Sequence, residues 1–369
     1  MESPLIGGES EGQGHVRIAV VDTVPVRIPL ESRYGEIDSV LGVVVSLKTD
    51  DGLEGLGHAI TLSGRHFRAL VAAVDELGDL LVGEDPRQPE RLHRKMLPDA
   101  AGGIANIAAA SLDIAVWDLA GKVAGLPLYR LLGGYRNRVP AYASLHLGRA
   151  VSTPELPEIA CALVEQGFKA MKMNLGGAPT VEAEVARVRA VREAIGPDIS
   201  LLADVNFRWT PSFAIRVARM LEEFHLYWLE DPIPTQNIEG LAEVRRAAGV
   251  PIAAGEALYG LAAFRPLFEA RAVDMPMPDL VRVGGITPYL KVAHMAEAFG
   301  LPLACHLLPE ISAQVLAAVP NGLIVEYVPW AWRLFHHCPA LENGELVMSE
   351  RPGTGLELDT DFVAQHRVN

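Results

Sequence analysis

Seven ionisable residues punctuate the second half of the chain at a nearly regular interval: Lys172, Asp204, Glu230, Glu256, Asp279, His306 and Glu326. Each stands at or near the end of a short apolar run, in AMKMN, SLLADVN, YWLEDP, PIAAGE, DMPMPD, PLACHL and LIVEYV. A single acid in such a place would cap the next helix or pair with a neighbouring lysine. Seven in register demand a common reason. Asp204, Glu230 and Glu256 offer only oxygen, which suits a hard divalent cation that keeps open positions for water and substrate; Mg²⁺ is the natural candidate. Without an ion, three converging carboxylates repel one another and shift towards protonation. A salt-bridged cluster holding no metal is the alternative.

Residues so far apart in sequence can meet only if the runs between them are equivalent units. The spacing of roughly 20 to 32 residues is one strand plus one helix. With AYASL added at the front, eight candidate strands alternate with amphipathic segments, which predicts a (β/α) barrel over residues 136–330. A parallel barrel carries its active site at the C-terminal strand ends, where all seven residues stand. Upstream, residues 15–135 read as a separate α+β unit. VRIAVVDTVPVRIPL and VLGVVVSLKTDDGLEGLGHAI alternate apolar and polar positions with a turn at Asp51-Gly52, and a helical period then runs from Phe67 to Leu132. Residues 1–14 are expected to form a disordered leader, and 331–369 to return to the first domain.

Composition narrows the function. A formal charge of −14 and the absence of a dense Lys/Arg cluster exclude nucleic acid as the expected partner. No run of about 20 apolar residues lacks a charge, so no membrane partner is expected. Cys161, Cys305 and Cys338 have no C-x-x-C among them, which suits reduced thiols in a cytoplasmic protein. The glycines at 52, 55 and 57 fall in a hairpin and do not make a dinucleotide fingerprint. His336-His337-Cys338 reads as a surface loop, because three consecutive residues rarely converge on one ion. Cys305 faces the helices by strand alternation, and Trp330 and Trp332 are expected to pack the barrel rim, with shaping of the pocket as the alternative.

ADVN, LEDP, GE, PDLVRVGGIT and CHLLPEIS together resemble the metal and base motifs of the enolase superfamily, specifically the mandelate racemase group. AAASLDIAVWDLAGKVAGLPLYRLLGG resembles the end of that group's capping domain, so the likeness covers nearly the whole chain. It implies an α/β fold, a modified (β/α)7β TIM-type barrel under an N-terminal α+β cap, usually as a homo-oligomer. It also implies that Asp204, Glu230 and Glu256 hold Mg²⁺ and that His306 is a base backed by Asp279. Glu326 would be a protonated acid on the substrate carboxylate, and Asn206 a polar group near the α-substituent. Lys172 would join Mg²⁺ and Glu326 in stabilising the enediolate formed when a proton α to a carboxylate is removed.

One departure decides the expected reaction. Mandelate racemase carries K-x-K on the second barrel strand, whereas this chain reads Lys172-Met173-Asn174. Residues two apart share a face, so Asn174 points into the site, and an amide cannot accept a proton there. With His306 as sole base, β-elimination of water from a sugar acid to a 2-keto-3-deoxy acid is favoured over two-base racemisation. An epimerase or racemase, a cycloisomerase and a non-catalytic metal-bound scaffold are the alternatives. Two cap loops, Glu31 to Glu36 and Thr61 to His66, are expected over the barrel mouth, with Arg33, Tyr34, Arg65 and His66 contacting the hydroxylated anion.

Overall fold

The computed structural model describes residues 16–34, 37–61, 64–97 and 102–368, so the expected leader lies outside the described residues. The chain opens with an antiparallel meander of β1 (Ile18–Tyr34), β2 (Ile37–Thr49) and β3 (Glu54–Thr61). Three helices follow: α1 (Phe67–Asp79), α2 (Pro89–Met96) and α3 (Ile104–Ala124). α3 is apolar all round because it lies between the meander and the barrel. It is long and apolar enough to cross a membrane, yet 78% of its most apolar window is buried inside the fold. The hairpin glycines find their purpose here. A Cβ on Gly57 would sit 1.9 Å from the Ser111 carbonyl oxygen, and one on Gly55 2.5 Å from that of Ala115, so bare backbone lets α3 lie directly on β3.

The barrel strands are β4 (Arg138–Leu147), β5 (Ala170–Asn174), β6 (Ser200–Asp204), β7 (Trp228–Glu230), β8 (Ile252–Ala254) and β9 (Met275–Pro276). Each pairs in parallel with the next, and β10 (Val325–Tyr327) closes the ring on β4. The expected seventh strand, PLACHL, is not a continuous strand. It is reduced to single bridges, Leu303 to Gly322 and Asp279 to His306. β11 (Ala340–Glu342) and β12 (Glu345–Val347) form a hairpin about Asn343-Gly344, and β12 adds antiparallel to the start of β4. The chain then reaches the first domain. Val26 bridges Arg367, and the Val368 amide donates to the Pro25 carbonyl at 3.0 Å.

Charged groups buried between cap and barrel fix their relation. Asp118 on α3 accepts from the Leu56 amide at 2.8 Å and from the Thr354 amide and hydroxyl at 2.7 and 2.9 Å. Asp113 accepts from the Thr287 amide and hydroxyl at 2.9 and 2.7 Å, and burial pushes its pKa up. His58 on β3 meets Glu310 at 2.6 Å, while the Trp332 indole donates to the other Glu310 oxygen at 2.9 Å.

Candidate active site

Inside the barrel, one apolar layer takes a residue from every strand position: Tyr142, Ala170, Leu202, Trp228, Ala253, Met277, Ala304 and Ile324. Two residues further along, the next inward positions are Ser144, Lys172, Asp204, Glu230, Asp279, His306 and Glu326. Strand alternation therefore lifts all of these polar groups one layer above a hydrophobic floor. The fifth strand breaks the count, since Glu256 lies three residues beyond Ala253. Gly255 absorbs the extra residue at φ +136°, packed against the Met277 backbone. Met171 and Met173 belong to the outer core, which leaves Lys172 and Asn174 facing inward, as strand parity requires.

The charges form one buried network. Lys172 Nζ lies 2.6 Å from Glu230, 2.8 Å from Glu326 and 3.4 Å from Asp204. Burial acts to depress its pKa, but Glu230 and Glu326 outweigh it and hold the ammonium well above its ordinary value. His306 Nδ1 meets Asp279 at 2.6 Å and its Nε2 faces Glu256 at 3.2 Å. Against the cost of burial, Glu256 and Asp279 raise the imidazole to about 9. Asp279 is also the cap of the following turn, accepting from the Val281 and Arg282 amides at 2.9 and 2.8 Å. Its carboxylate is thereby aimed from behind the imidazole, which fixes the tautomer.

Glu326, which the resemblance makes a protonated acid when it donates to a substrate carboxylate, stands here beside the Lys172 ammonium at 2.8 Å. Although burial raises its pKa, Lys172 and His306 bring it down to about 2, and it accepts from the Ser144 hydroxyl at 2.8 Å and the Leu307 amide at 3.1 Å. Two cations and two donors favour its charged form.

The donor set fits a hard divalent ion, with one difference from expectation. Oxygens of Glu230, Asp231 and Glu256 lie within 4.8 Å of one another, whereas Asp204 is turned to Asn206, accepting from its amide N–H at 2.8 Å and its side chain at 2.9 Å. Burial and mutual repulsion push Glu230 and Asp231 well above the carboxylate range, and Glu256 upward. Asp231 is fully buried, and its Oδ2 has no hydrogen-bond partner among the described residues. A divalent ion relieves both the repulsion and the unmet oxygen. Asp231 was missed in the sequence, although it stands beside Glu230 in LEDP.

Ser144, Arg149 and Arg282 were also missed as site residues; with Lys172, Asn174, Asp204, Asn206, Glu256, His306, Glu326 and Trp330 they line a cavity of about 280 Å³. Trp330 is thus part of the pocket wall and not only rim packing. A second cavity of about 1360 Å³ shares Ser144, Leu145, Arg149 and Trp330 with it and is bounded on the cap side by Pro29, Leu30 and Ile37. Arg65 and His66 are exposed and line neither cavity. Arg33 and Tyr34 close β1, but their side chains lie outside the described residues, as do residues 35–36 and 62–63. Left-handed backbone clusters around the site: Leu145 within β4, and Asn206, Phe207, Asp231, Leu307 and Leu308 just beyond barrel strand positions, all have positive φ. Such strain is retained where the surroundings over-determine the geometry.

Comparison with known proteins now decides the family. Residues 15–133 match the mandelate racemase/muconate lactonizing enzyme N-terminal domain, and residues 155–362 match the enolase C-terminal domain-like family. The chain belongs to the mandelate racemase/muconate lactonizing enzyme group of the enolase superfamily. This member of the group is 34% identical over 336 residues to L-talarate/galactarate dehydratase of Salmonella typhimurium, covering 89% of this chain and 83% of that protein. It is 35% identical over 354 residues to 3,6-anhydro-α-L-galactonate cycloisomerase of Streptomyces coelicolor, covering 93% and 97%. Among solved structures, L-talarate dehydratase from Polaromonas sp. JS666 complexed with Mg and L-glucarate superposes with a TM-score of 0.90 at 32% identity, covering 96% of this chain and 98% of that one.

Proposed function

We propose that the chain is a Mg²⁺-dependent hydro-lyase that removes the proton α to a sugar-acid carboxylate and expels the β-hydroxyl as water. The observation that carries this reading is the asymmetry of the cavity walls. His306, backed by Asp279 at 2.6 Å, is the proton acceptor on one side, and Asn174 takes the place of a second base on strand β5. Relatives named as sugar-acid dehydratases, and a neighbour complexed with Mg and L-glucarate, support the substrate class.

Asp204, Glu230 and Glu256 would hold the ion, with Asp231 clustered beside Glu230 and Glu256. When bound, Mg²⁺ supplies Lewis-acid stabilisation of charge developing on the substrate carboxylate. The remaining work belongs to the side chains. In its neutral form, His306 takes the α-proton on Nε2 while the C–H electron pair moves into the carboxylate, giving an enediolate. Lys172, a cation deep in the site, offsets that new charge. Return of the electron pair expels the β-hydroxyl, which takes the proton from His306 and leaves as water. The resulting enol tautomerises to the 2-keto-3-deoxy acid.

A screen of mono- and diacid sugars with Mg²⁺, read by 2-keto product and by α-proton exchange in D₂O, tests the proposal. Exchange with retention of all carbon-bound oxygens would refute dehydration. The cycloisomerase relative supports a second reading, in which the same base acts without loss of water. A product isomeric with its substrate would select it.

A further inference from the structure

Arg149 has no part in the proton transfer derived above, yet its guanidinium is built into the site. It follows the first barrel strand and reaches across to the ends of the next two. Nε donates to the Leu175 carbonyl at 2.5 Å, and Nη2 donates to the Asp204 carbonyl at 3.4 Å and to Asn206 Oδ1 at 2.7 Å. The stem lies over Gly177, where a Cβ would meet its Cβ, Cγ and Cδ at 3.2 to 3.3 Å. A bare backbone there leaves a slot for the arginine.

The contact with Asn206 has a consequence for Asp204. Asn206 Oδ1 receives two donors, Arg149 Nη2 and Asn174 Nδ2, the latter at 3.2 Å. Its other end, Nδ2, therefore faces Asp204 Oδ2 and donates to it at 2.9 Å. Without the guanidinium the amide could turn over and set an oxygen against the carboxylate, a repulsive contact. Asn206 sits at φ +47°, so its side chain departs from a backbone position that asparagine tolerates better than most residues.

The same contact bears on position 174. Arg149 Nη2 and Asn174 Nδ2 both lie within 3.2 Å of one oxygen, so the donors are close neighbours. A lysine at 174 would bring an ammonium up against a guanidinium that is already anchored to two backbone carbonyls. An amide adds a donor without adding charge.

We propose that Arg149 is a positioning residue that orients Asp204 through Asn206, and that its guanidinium is the reason position 174 holds an amide and not a second ammonium. This rests on Asp204 being a metal ligand, the reading given above. A fixed cation then stands beside position 174, where a second proton acceptor would be needed.

The test uses Mn²⁺ as the probe and no substrate, with free Mn²⁺ followed by electron paramagnetic resonance on the full chain. Arg149→Met should weaken Mn²⁺ binding by about 10-fold or more, the usual consequence of losing a partner behind a ligand. Arg149→Lys, which keeps the charge but loses the two-pronged clamp, should fall between it and wild type. Melting in EDTA should place both variants near wild type. Should Arg149→Met fail to fold, Arg149→Lys carries the same comparison. Asn174→Lys should weaken Mn²⁺ binding in the Arg149 background and do so less in the Arg149→Met background. Unchanged Mn²⁺ affinity in the folded Arg149 variant, or equal effects of Asn174→Lys in both backgrounds, overturns the inference. Glu256→Gln separates the two levels. If it lowers Mn²⁺ affinity while the Arg149 variants do not, the metal site stands and the positioning role alone is lost; if it has no effect, both are refuted.

Discussion

His306 offers the sharpest measurable consequence of the site's electrostatics. Its imidazole is raised from 6.5 to about 9, against burial, by Glu256 at 3.2 Å and Asp279 at 2.6 Å. A folded-state pKa above the unfolded value means that the folded state binds the proton more tightly. The resulting stability is fully present below about pH 6.5 and is lost as pH rises through 9. The displacement corresponds to about 3 kcal/mol, as an order of magnitude, at roughly 1.4 kcal/mol for each pKa unit. His306→Gln in EDTA should therefore be less stable than the wild type by a few kcal/mol at pH 6.5, and the gap should close towards pH 10. Urea unfolding of both proteins at half-unit steps from pH 6 to 10 measures the gap directly. Other groups titrating near pH 9 cancel in the difference. A gap that stays constant across the range would refute the ion-pair account of His306. Saturating Mg²⁺ should shift the closing of the gap to lower pH, because an ion engaging Glu256 competes for the carboxylate that contributes most to raising the imidazole.

The remaining expectations concern chemistry and the cap. Chelation by EDTA should abolish turnover on any sugar acid found active, and Mg²⁺ should restore it; turnover that survives chelation would remove the ion from the reaction. In D₂O, His306→Asn should stop both α-proton exchange and product formation, whereas Asn174→Ala should weaken binding and leave exchange detectable by NMR. Continued exchange in the His306 variant would transfer the base role to another group, with Lys172 the nearest candidate. His58→Ala leaves one oxygen of fully buried Glu310 without its 2.6 Å partner and should cost about 1 to 3 kcal/mol in urea unfolding. A loss below 1 kcal/mol would show that the cap is held mainly by apolar contacts and Asp113 and Asp118.

Strand parity made most of the site readable in advance. Lys172, Asp204, Glu230, Asp279, His306 and Glu326 all stand two residues beyond a member of the apolar floor, a pattern visible once the strands are aligned by their charges. Where a different physical rule governs, the reading stopped. PLACHL has strand composition, but at the seventh position only Leu303 and His306 make ladder bridges. The β11–β12 hairpin was legible in principle, since Asn343-Gly344 is a strong two-residue turn signal, yet the segment around it is polar and short. At Arg65 and His66 the sequence offers only polarity in a loop, which does not say whether a loop turns inward or towards solvent.

The residues that escaped notice share a property that explains why. Ser144, Arg149 and Arg282 act through geometry that exists only after the ring closes: a hydroxyl 2.8 Å from Glu326, a guanidinium spanning two strands, and another donating to the Glu256 carbonyl at 2.8 Å. None breaks a local rule, because an arginine after a strand is ordinary, whereas a charge ending an apolar strand is not. Sequence patterns therefore show groups that are costly to bury, and are silent on the groups that make the burial tolerable. Asp231 lies between the two classes. At φ +40°, with a buried oxygen that meets no donor among the described residues, it shares the crowded, desolvated setting of Glu230 and Glu256. The Mn²⁺ affinity of Asp231→Asn should consequently fall with those of the Glu230 and Glu256 variants. Affinity equal to wild type would confine the ion's electrostatic debt to Asp204, Glu230 and Glu256.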